Sequence, residues 1–597
     1  MTRLLRILGR SILFLALAQS LCADSARDVA AARAVFNRNL AAIRAHDRAA
    51  YLACYLDAGD HFARTGDEGL ATGFAEFEKG AGAKFPDTFD ASDIKLVSLR
   101  EGVVYGTYRY RVRYGDDEQV GVSERLFVET LSGWKITLTG AYLSRPGTPA
   151  PPRALVGGTL VDGTGAAPVP NATVVMSGGK IECAGRGCVV PSGVETIDAR
   201  GLWITPGIVD AHVHFSQTGW ADGRPDAMDV RDRYPYEKTS ADLKGHPERF
   251  FRSQLCSGVT AVFDVGGYAW TVAMAHAASG SRAPHVAAAG PLLSTLDHWL
   301  NLPAERQFIH LKDAESARAG VSYLTAIGSD AVKVWYIVRS DMPVALTAPF
   351  VKAAGDEAKK AGLPLIVHAT GLAEAKAALK AGATLLVHSV GDMPVDEEFL
   401  SLAKANGAIY CPTLTVYNGY LRMNKAALTQ TPPAVDDPNG CVDPVTLAKV
   451  AESAKAGTAG RAELVAALEK RVAENDRISF ANLKRVFDAG IPIAMGTDAG
   501  NPLTLHGPSV YAEMEAMQAA GMTPAQVLVA STRGGALAMG REKEFGTIEK
   551  GKDADVLLVA ADPTADIKNL RKLRWVVRGG AVRSVEEWRA VVAAGKP

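Results

Sequence analysis

The chain has 597 residues, 48% of them hydrophobic and 22% charged, and its 65 Lys and Arg balance 65 Asp and Glu. Such a length exceeds what one hydrophobic core organises, so two or three domains are expected. The ordinary composition excludes extensive disorder, and a neutral chain has no bulk attraction for nucleic acid or an anionic membrane.

The first residues, MTRLLRILGRSILFLALAQSLCADSA, set Arg3, Arg6 and Arg10 ahead of an apolar run from Ser11 to Leu17, with small residues at Ala18, Ser20, Cys22 and Ala23. This order predicts a secretory signal over 1–23 and an exported chain, periplasmic or secreted; an N-terminal membrane anchor is the competing reading. Leu21 before Cys22 is too bulky for a lipoprotein signal, and no other run is long enough for stable membrane insertion. Cys183 and Cys188 flank a Gly-containing turn. In an oxidising compartment they form either a disulfide or two free thiols.

Residues 25–147 read as a separate α+β unit. A helical pattern runs from Ala26 to about Tyr55, followed by alternating strands near 94–99, 103–114, 123–130 and 133–142. A long helix ahead of antiparallel strands, the last with Trp134-Lys135-Ile136, resembles the cone-shaped nuclear-transport-factor-2-like (NTF2-like) and SnoaL-like domains. That resemblance implies an accessory or dimerising role and leaves a homo-oligomer open. The Pro-rich stretch 144–154 marks a boundary, with 148–154 as linker. Short strands separated by Gly, Pro and Asn turns then fill 155–205 and recur over 545–590, which predicts a small β-sandwich assembled from both flanks.

Between those flanks, over 206–544, short buried-type strands alternate with helical stretches. The strand candidates are 207–215, 259–267, 285–294, 331–338, 364–370, 384–390, 408–417 and 492–500. Eight such strands fit an α/β fold of the (β/α)₈ TIM-barrel type. A doubly wound open sheet competes, but no Gly-rich dinucleotide fingerprint follows any of the strands. The helical runs TLAKVAESAKAG and RAELVAALEKRVAEN in 418–490 form either a lid or an ordinary barrel helix with an insertion.

Five strand ends hold unusual polar residues. His212 and His214 alternate along the first strand, which puts both imidazoles on one face, close enough to grip one ion. Lys333 interrupts an apolar run in the fourth; His368, His388 and Asp498 end the fifth, sixth and eighth. Singly, each has a bland explanation: a hydrogen-bonded histidine, a snorkelling lysine, a helix cap. Together, all six fall near the carboxyl ends of barrel strands, where such folds carry their chemistry.

The set TPGIVDAHVH, Lys333 in DAVKVWY, His368, His388 in AGATLLVHS, GTDAG and GTIEKGKDADVLLV resembles the amidohydrolase superfamily over 155–590. Within it, the imidazolonepropionase-like and Xaa-Pro or Xaa-Arg dipeptidase-like group is the most similar. The resemblance implies two divalent metal ions, usually zinc (Zn2+). His212, His214 and Asp498 would hold the more buried ion, and His368 and His388 the other. Lys333, carboxylated by CO2, would bridge both. A desolvated lysine has the depressed pKa and nucleophilicity that this carboxylation needs. The implied reaction is hydrolysis of a C–N bond in a small-molecule amide, dipeptide or cyclic amide by a hydroxide between the metals, with Asp498 as catalytic proton shuttle. Candidate substrate contacts are His298, Tyr336 and His506, with Tyr417 beside the mouth; where related proteins carry Gly-Gly before the equivalent of His298, this chain has Leu296-Asp297. Two other readings compete. A mononuclear aminohydrolase (deaminase) typically has Glu three residues after the strand-five histidine, where this chain has Gly371. A non-catalytic metal- or ligand-binding protein would have no reason to keep the full ligand set.

Overall fold

The computed structural model describes residues 25–594 except 67–68, 83–84, 115–116, 147–150, 299 and 301–304. The leader expected over 1–23 lies outside the described residues. Packing divides the chain into two units, Met1–Thr148 and Pro149–Pro597.

In the first unit the helix expected to reach Tyr55 is broken. It runs over 25–44, and a second helix covers Arg48–Leu52. His46 takes a left-handed φ of 54° and Asp47 caps the second helix by accepting from Ala50 N, so the turn overrides a helical pattern that continues through it. Strands Thr88–Arg100, Val103–Tyr114, Asp117–Thr130 and Gly133–Pro146 pair antiparallel in succession. The short hairpin Ala63–Gly66 and Gly69–Thr72 extends that sheet beyond Gly133–Pro146. Alternation along Val103–Tyr114 turns Val104, Tyr108, Tyr110 and Val112 inward, where they share a core with Phe36 and Phe62.

The boundary is narrower than the Pro-rich stretch suggested. One strand reaches Pro146 and the next, Arg153–Leu160, begins inside the expected linker, because strand hydrogen bonds tolerate proline at a strand end.

In the second unit, segments from both flanks meet and are joined by hydrogen bonds into one sheet. Trp203–Pro206 pairs parallel with Arg153–Leu160 on one side and antiparallel with Val556–Val559 on the other, so a single ladder continues from Lys180–Gly185 to Ala581–Ser584. Leu155, Val174, Ile204, Val556 and Leu558 form its apolar cluster.

Parallel strands and helices alternate between those flanks. Ile208–Val213, Val259–Asp264 and His285–Ala288 pair in that order. Leu292–Ser294, Val332–Trp335, Leu365–His368, Leu385–Val387 and Ile409–Cys411 form a second parallel series. The residues of these strands are apolar with little alternation because helices cover one face and the interior fills the other. The predicted third strand splits: Gly290, at φ 68°, and Pro291 separate His285–Ala288 from Leu292–Ser294. An unpredicted strand, Phe308–His310, pairs with Leu292–Ser294. The predicted seventh strand stops at Cys411, and a helix, Val416–Thr429, starts within its expected span.

The eighth candidate, 492–500, is an irregular segment bonded on both sides. Tyr410 N donates to Pro492 O and Ala494 N to Tyr410 O; Ala211 N donates to Met495 O, Asp498 N to His212 O and His214 N to Ala499 O. Regular pairing fails where Gly496 lies so tightly packed that a Cβ would come within 2.5 Å of Cys411 Sγ, and Asp498 takes a left-handed φ of 63°. Among the described residues no helix is long and apolar enough to cross a membrane.

Candidate metal centre

The first strand delivers two imidazoles to one point. His212 Nε2 lies 3.2 Å from His214 Nε2, and the two are 3.2 and 3.0 Å from Asp498 Oδ1. From the sixth strand end, His388 Nε2 stands 4.0 Å from Asp498 Oδ2. His212, His388 and Asp498 thus offer three ligand atoms within 4.8 Å of one another, an arrangement able to hold a metal ion. His368 packs its ring 4.4 Å from that of His388, centroid to centroid.

The ring orientations suit ligation. His214 Nδ1 is 2.6 Å from the Gly266 carbonyl. A carbonyl only accepts, so Nδ1 carries a proton and Nε2 is the ring nitrogen turned toward Asp498. His388 Nδ1 is likewise anchored, 2.6 Å from Thr413 Oγ1. Asp498 Oδ1 is buried with no hydrogen-bond partner despite its closeness to two ring nitrogens. Such an orphaned oxygen among imidazole nitrogens is the donor set a divalent cation satisfies.

The electrostatics agree. Burial pushes His212 down to about 4 and His368 down to about 3, and holds His388 well below its ordinary value. The imidazoles of these three are therefore neutral near pH 7. Burial acts to raise the Asp498 carboxyl, but His212 and His214 outweigh it and hold the group well below the usual carboxylate range. Lys333 is 1% exposed, and burial pushes its ammonium down to about 7.

All six predicted positions, His212, His214, Lys333, His368, His388 and Asp498, line one cavity of about 560 Å³. His298 also lines it, packed against Phe308 and Trp335, with Nε2 3.8 Å from Asp226. Tyr336 contributes to the wall but is 1% exposed, and its hydroxyl accepts from Thr347 Oγ1. Tyr417 lines the cavity too. His506 does not. It stacks between Phe215 and Phe250, at 5.2 and 4.2 Å, and burial pushes it down to about 3, so the expected substrate contact is a core histidine.

The frame of the site carries no sequence signal of its own. Asp210 Oδ2 accepts from Thr497 Oγ1 at 2.6 Å, and Oδ1 accepts from Thr497 N and His212 N, which clamps the irregular 492–500 segment to the first strand. Asp210 shares the motif with the two histidines, yet alternation assigns it to the same face without saying what it binds. Arg224, Asp226 and Asn501 also form part of the wall. Arg224 makes two bonds of 2.8 Å to Asp226 and donates to Asn501 Oδ1, an ion pair in a loop that no spacing pattern announces.

Comparisons with known proteins place this geometry in a family. Residues 203–581 match the amidohydrolase family. An imidazolonepropionase of Shouchella clausii (strain KSM-K16) is 43% identical over 82 residues, 14% of this chain and 18% of that protein. A dihydroorotase of Geobacter metallireducens (strain ATCC 53774 / DSM 7210 / GS-15) is 46% identical over 46 residues, 8% of this chain and 11% of that protein. The matched part is thus about a fifth of the length of these curated relatives or less. Among solved structures, a Xaa-Pro dipeptidase with bound methionine in its active site superposes with a TM-score of 0.55 at 22% identity, covering 72% of this chain and 100% of that one. The A. niger ochratoxinase gives 0.53 at 22% identity, covering 72% and 95%. Identities this low speak to the fold, which is TIM barrel-like. The family match takes in well over half of the residues and every side chain of the cluster, and so the chain belongs to the amidohydrolase family.

Proposed function

We propose that the protein is a metal-dependent hydrolase that cleaves a C–N bond in an amide, dipeptide or cyclic amide. The observation that carries this reading is that His212, His214 and His388 each bring Nε2 to 3.0–4.0 Å from a carboxylate oxygen of Asp498 in a substrate-sized cavity. His212, His214 and Asp498 would hold one divalent cation, His368 and His388 a second, with Lys333 as a carbamate between them and zinc the expected metal. Bound there, such cations polarise a carbonyl and acidify water. The chain's own residues do the rest. Asp498, ionised at neutral pH, accepts a proton from the attacking water and returns it to the leaving nitrogen. Burial keeps a fraction of Lys333 unprotonated near neutrality, the form that reacts with CO2. Hydrogen bonds on both sides of 492–500 support a closed eight-stranded barrel around the site.

Asp498→Asn tests the shuttle. It should leave a folded protein whose turnover drops by at least ~100-fold, the ordinary yield of a positioned acid–base group; near-normal turnover refutes the role. A second reading, a mononuclear aminohydrolase, would place its one ion on the group His212, His388 and Asp498, whose ligand atoms lie within 4.8 Å of one another. Metal content by mass spectrometry decides between them, two ions per active chain supporting the hydrolase and one supporting the deaminase.

The first unit serves as an accessory or dimerising module on this reading, its helix-then-sheet order supporting the NTF2-like resemblance. Export is supported by two disulfides, Cys183–Cys188 and Cys256–Cys441. The mass of the mature N-terminus from a native source checks it.

A further inference from the structure

The helix Arg461–Asp488 changes role along its length. Toward its end, Ile478, Ser479, Asn482 and Leu483 are buried in the unit's interior. Near its start, Val465 and Val472 pack with Leu421, while Leu464, Leu468 and Arg471 line the cavity. Spacings of four and three residues put these side chains on one stripe of the helix. Leu464 is 42% exposed, so its apolar surface serves the cavity rather than the core. Arg471 is exposed, makes no ion pair among the described residues, and lies over the Tyr417 ring at 5.0 Å. The other guanidinium of the wall, Arg224, is already engaged by Asp226 and Asn501. A guanidinium resting on an aromatic face keeps its in-plane N–H donors available, the geometry that takes a carboxylate through two parallel bonds.

We propose that Arg471, seated on Tyr417, is the residue that selects a substrate carboxylate, with Leu464 and Leu468 covering an apolar group of the same substrate. The class of substrate that fits is an amide with an apolar body and one anionic end. A second anionic group is disfavoured by Glu374, a half-buried carboxylate that lines the same cavity. This assignment rests on the hydrolytic reading for its purpose, but its test needs no turnover.

The test is the binding of 3-phenylpropanoate and of its neutral match, 3-phenylpropanamide, to the full-length metal-loaded protein by calorimetry. Arg471→Gln should weaken the acid about fivefold, the upper range of an exposed ion pair, and leave the amide unchanged. Arg471→Lys should recover part of the acid's affinity, since the charge remains but the bidentate geometry does not. Leu468→Ala should weaken both ligands alike. Equal losses for acid and amide in Arg471→Gln, or undiminished binding of the acid, would overturn the assignment. A protein that hydrolyses no amide would instead refute the hydrolytic reading and leave this binding result standing.

Discussion

Asp210 is the sharpest place to break the site without touching a metal-ligand candidate. Its buried carboxylate accepts three hydrogen bonds, from Thr497 Oγ1 at 2.6 Å, Thr497 N at 3.0 Å and His212 N at 3.2 Å. Thr497 Oγ1 in turn accepts from Ala499 N at 3.0 Å, one residue past Asp498. Asp210→Ala therefore strands three buried donors, each worth about 1–3 kcal/mol when left unsatisfied. Some relaxation is available, so a net loss of about 3–5 kcal/mol is expected. Asp210→Asn keeps one oxygen acceptor between the two backbone donors and should cost only about 1 kcal/mol. Guanidinium unfolding of the two variants beside the wild type measures the difference. If Asp210→Ala lost less than ~1 kcal/mol, or if Ala and Asn cost the same, the carboxylate would not be the clamp the hydrogen bonds describe.

Three further perturbations follow from the same physics. The Cys256–Cys441 disulfide closes a separation of 185 residues, and chain-entropy arithmetic at that length gives about 5 kcal/mol; replacing both cysteines by Ala should lower the unfolding midpoint accordingly, and a loss below ~1 kcal/mol contradicts the estimate. Asp555 takes bonds from His285 Nε2 at 2.8 Å, Gly579 N at 2.8 Å and Arg578 Nη1 at 3.3 Å, and although burial opposes it, Arg578 and His285 hold its carboxyl below the usual range. Burial also lowers His285. Both groups bind protons more readily in the unfolded chain, so stability should fall as pH drops below about 6.5, first through His285, and further below about 4, through Asp555. Asp555→Asn should flatten the lower part of that curve, and an unchanged slope would count against the pairing. His506→Gln should cost about 1–2 kcal/mol of stability with turnover intact, whereas a selective rise in KM would restore His506 as a substrate contact.

What was legible beforehand follows from what periodicity encodes. Strands buried on both faces announce themselves as apolar runs, so the parallel elements from Ile208–Val213 to Ile409–Cys411 could be read off. Within such runs a histidine or lysine costs free energy, which makes His212, Lys333, His368 and His388 conspicuous. Local turns were less legible. The break at His46, the split at Gly290 and the early end at Cys411 each depend on one backbone conformation that competes with a continuing pattern. The wall of the cavity was least legible. Arg224, Asp226 and Glu374 lie on loops or helix starts, where nothing in the spacing marks a side chain as facing inward.

The backbone itself supplies the remaining step. Among non-glycine residues with left-handed φ, His388 at 73°, Thr413 at 44° and Asp498 at 63° are all at the site, and Thr413 is the partner of His388 Nδ1. Each such conformation costs on the order of 1 kcal/mol or more and persists only where the surroundings over-determine it. A regular strand through Asp498 would carry its carboxylate along the alternation of 492–500 and lose the turn that brings Oδ1 to 3.0 Å from His214. The strain therefore buys convergence: it bends chain ends that packing alone would leave parallel. Sequence patterns are blind to it because an ordinary turn and a strained bend at the site look the same in one dimension. That is why polar residues at strand ends stand out in the sequence, while the bends that bring His212, His214, His388 and Asp498 together do not.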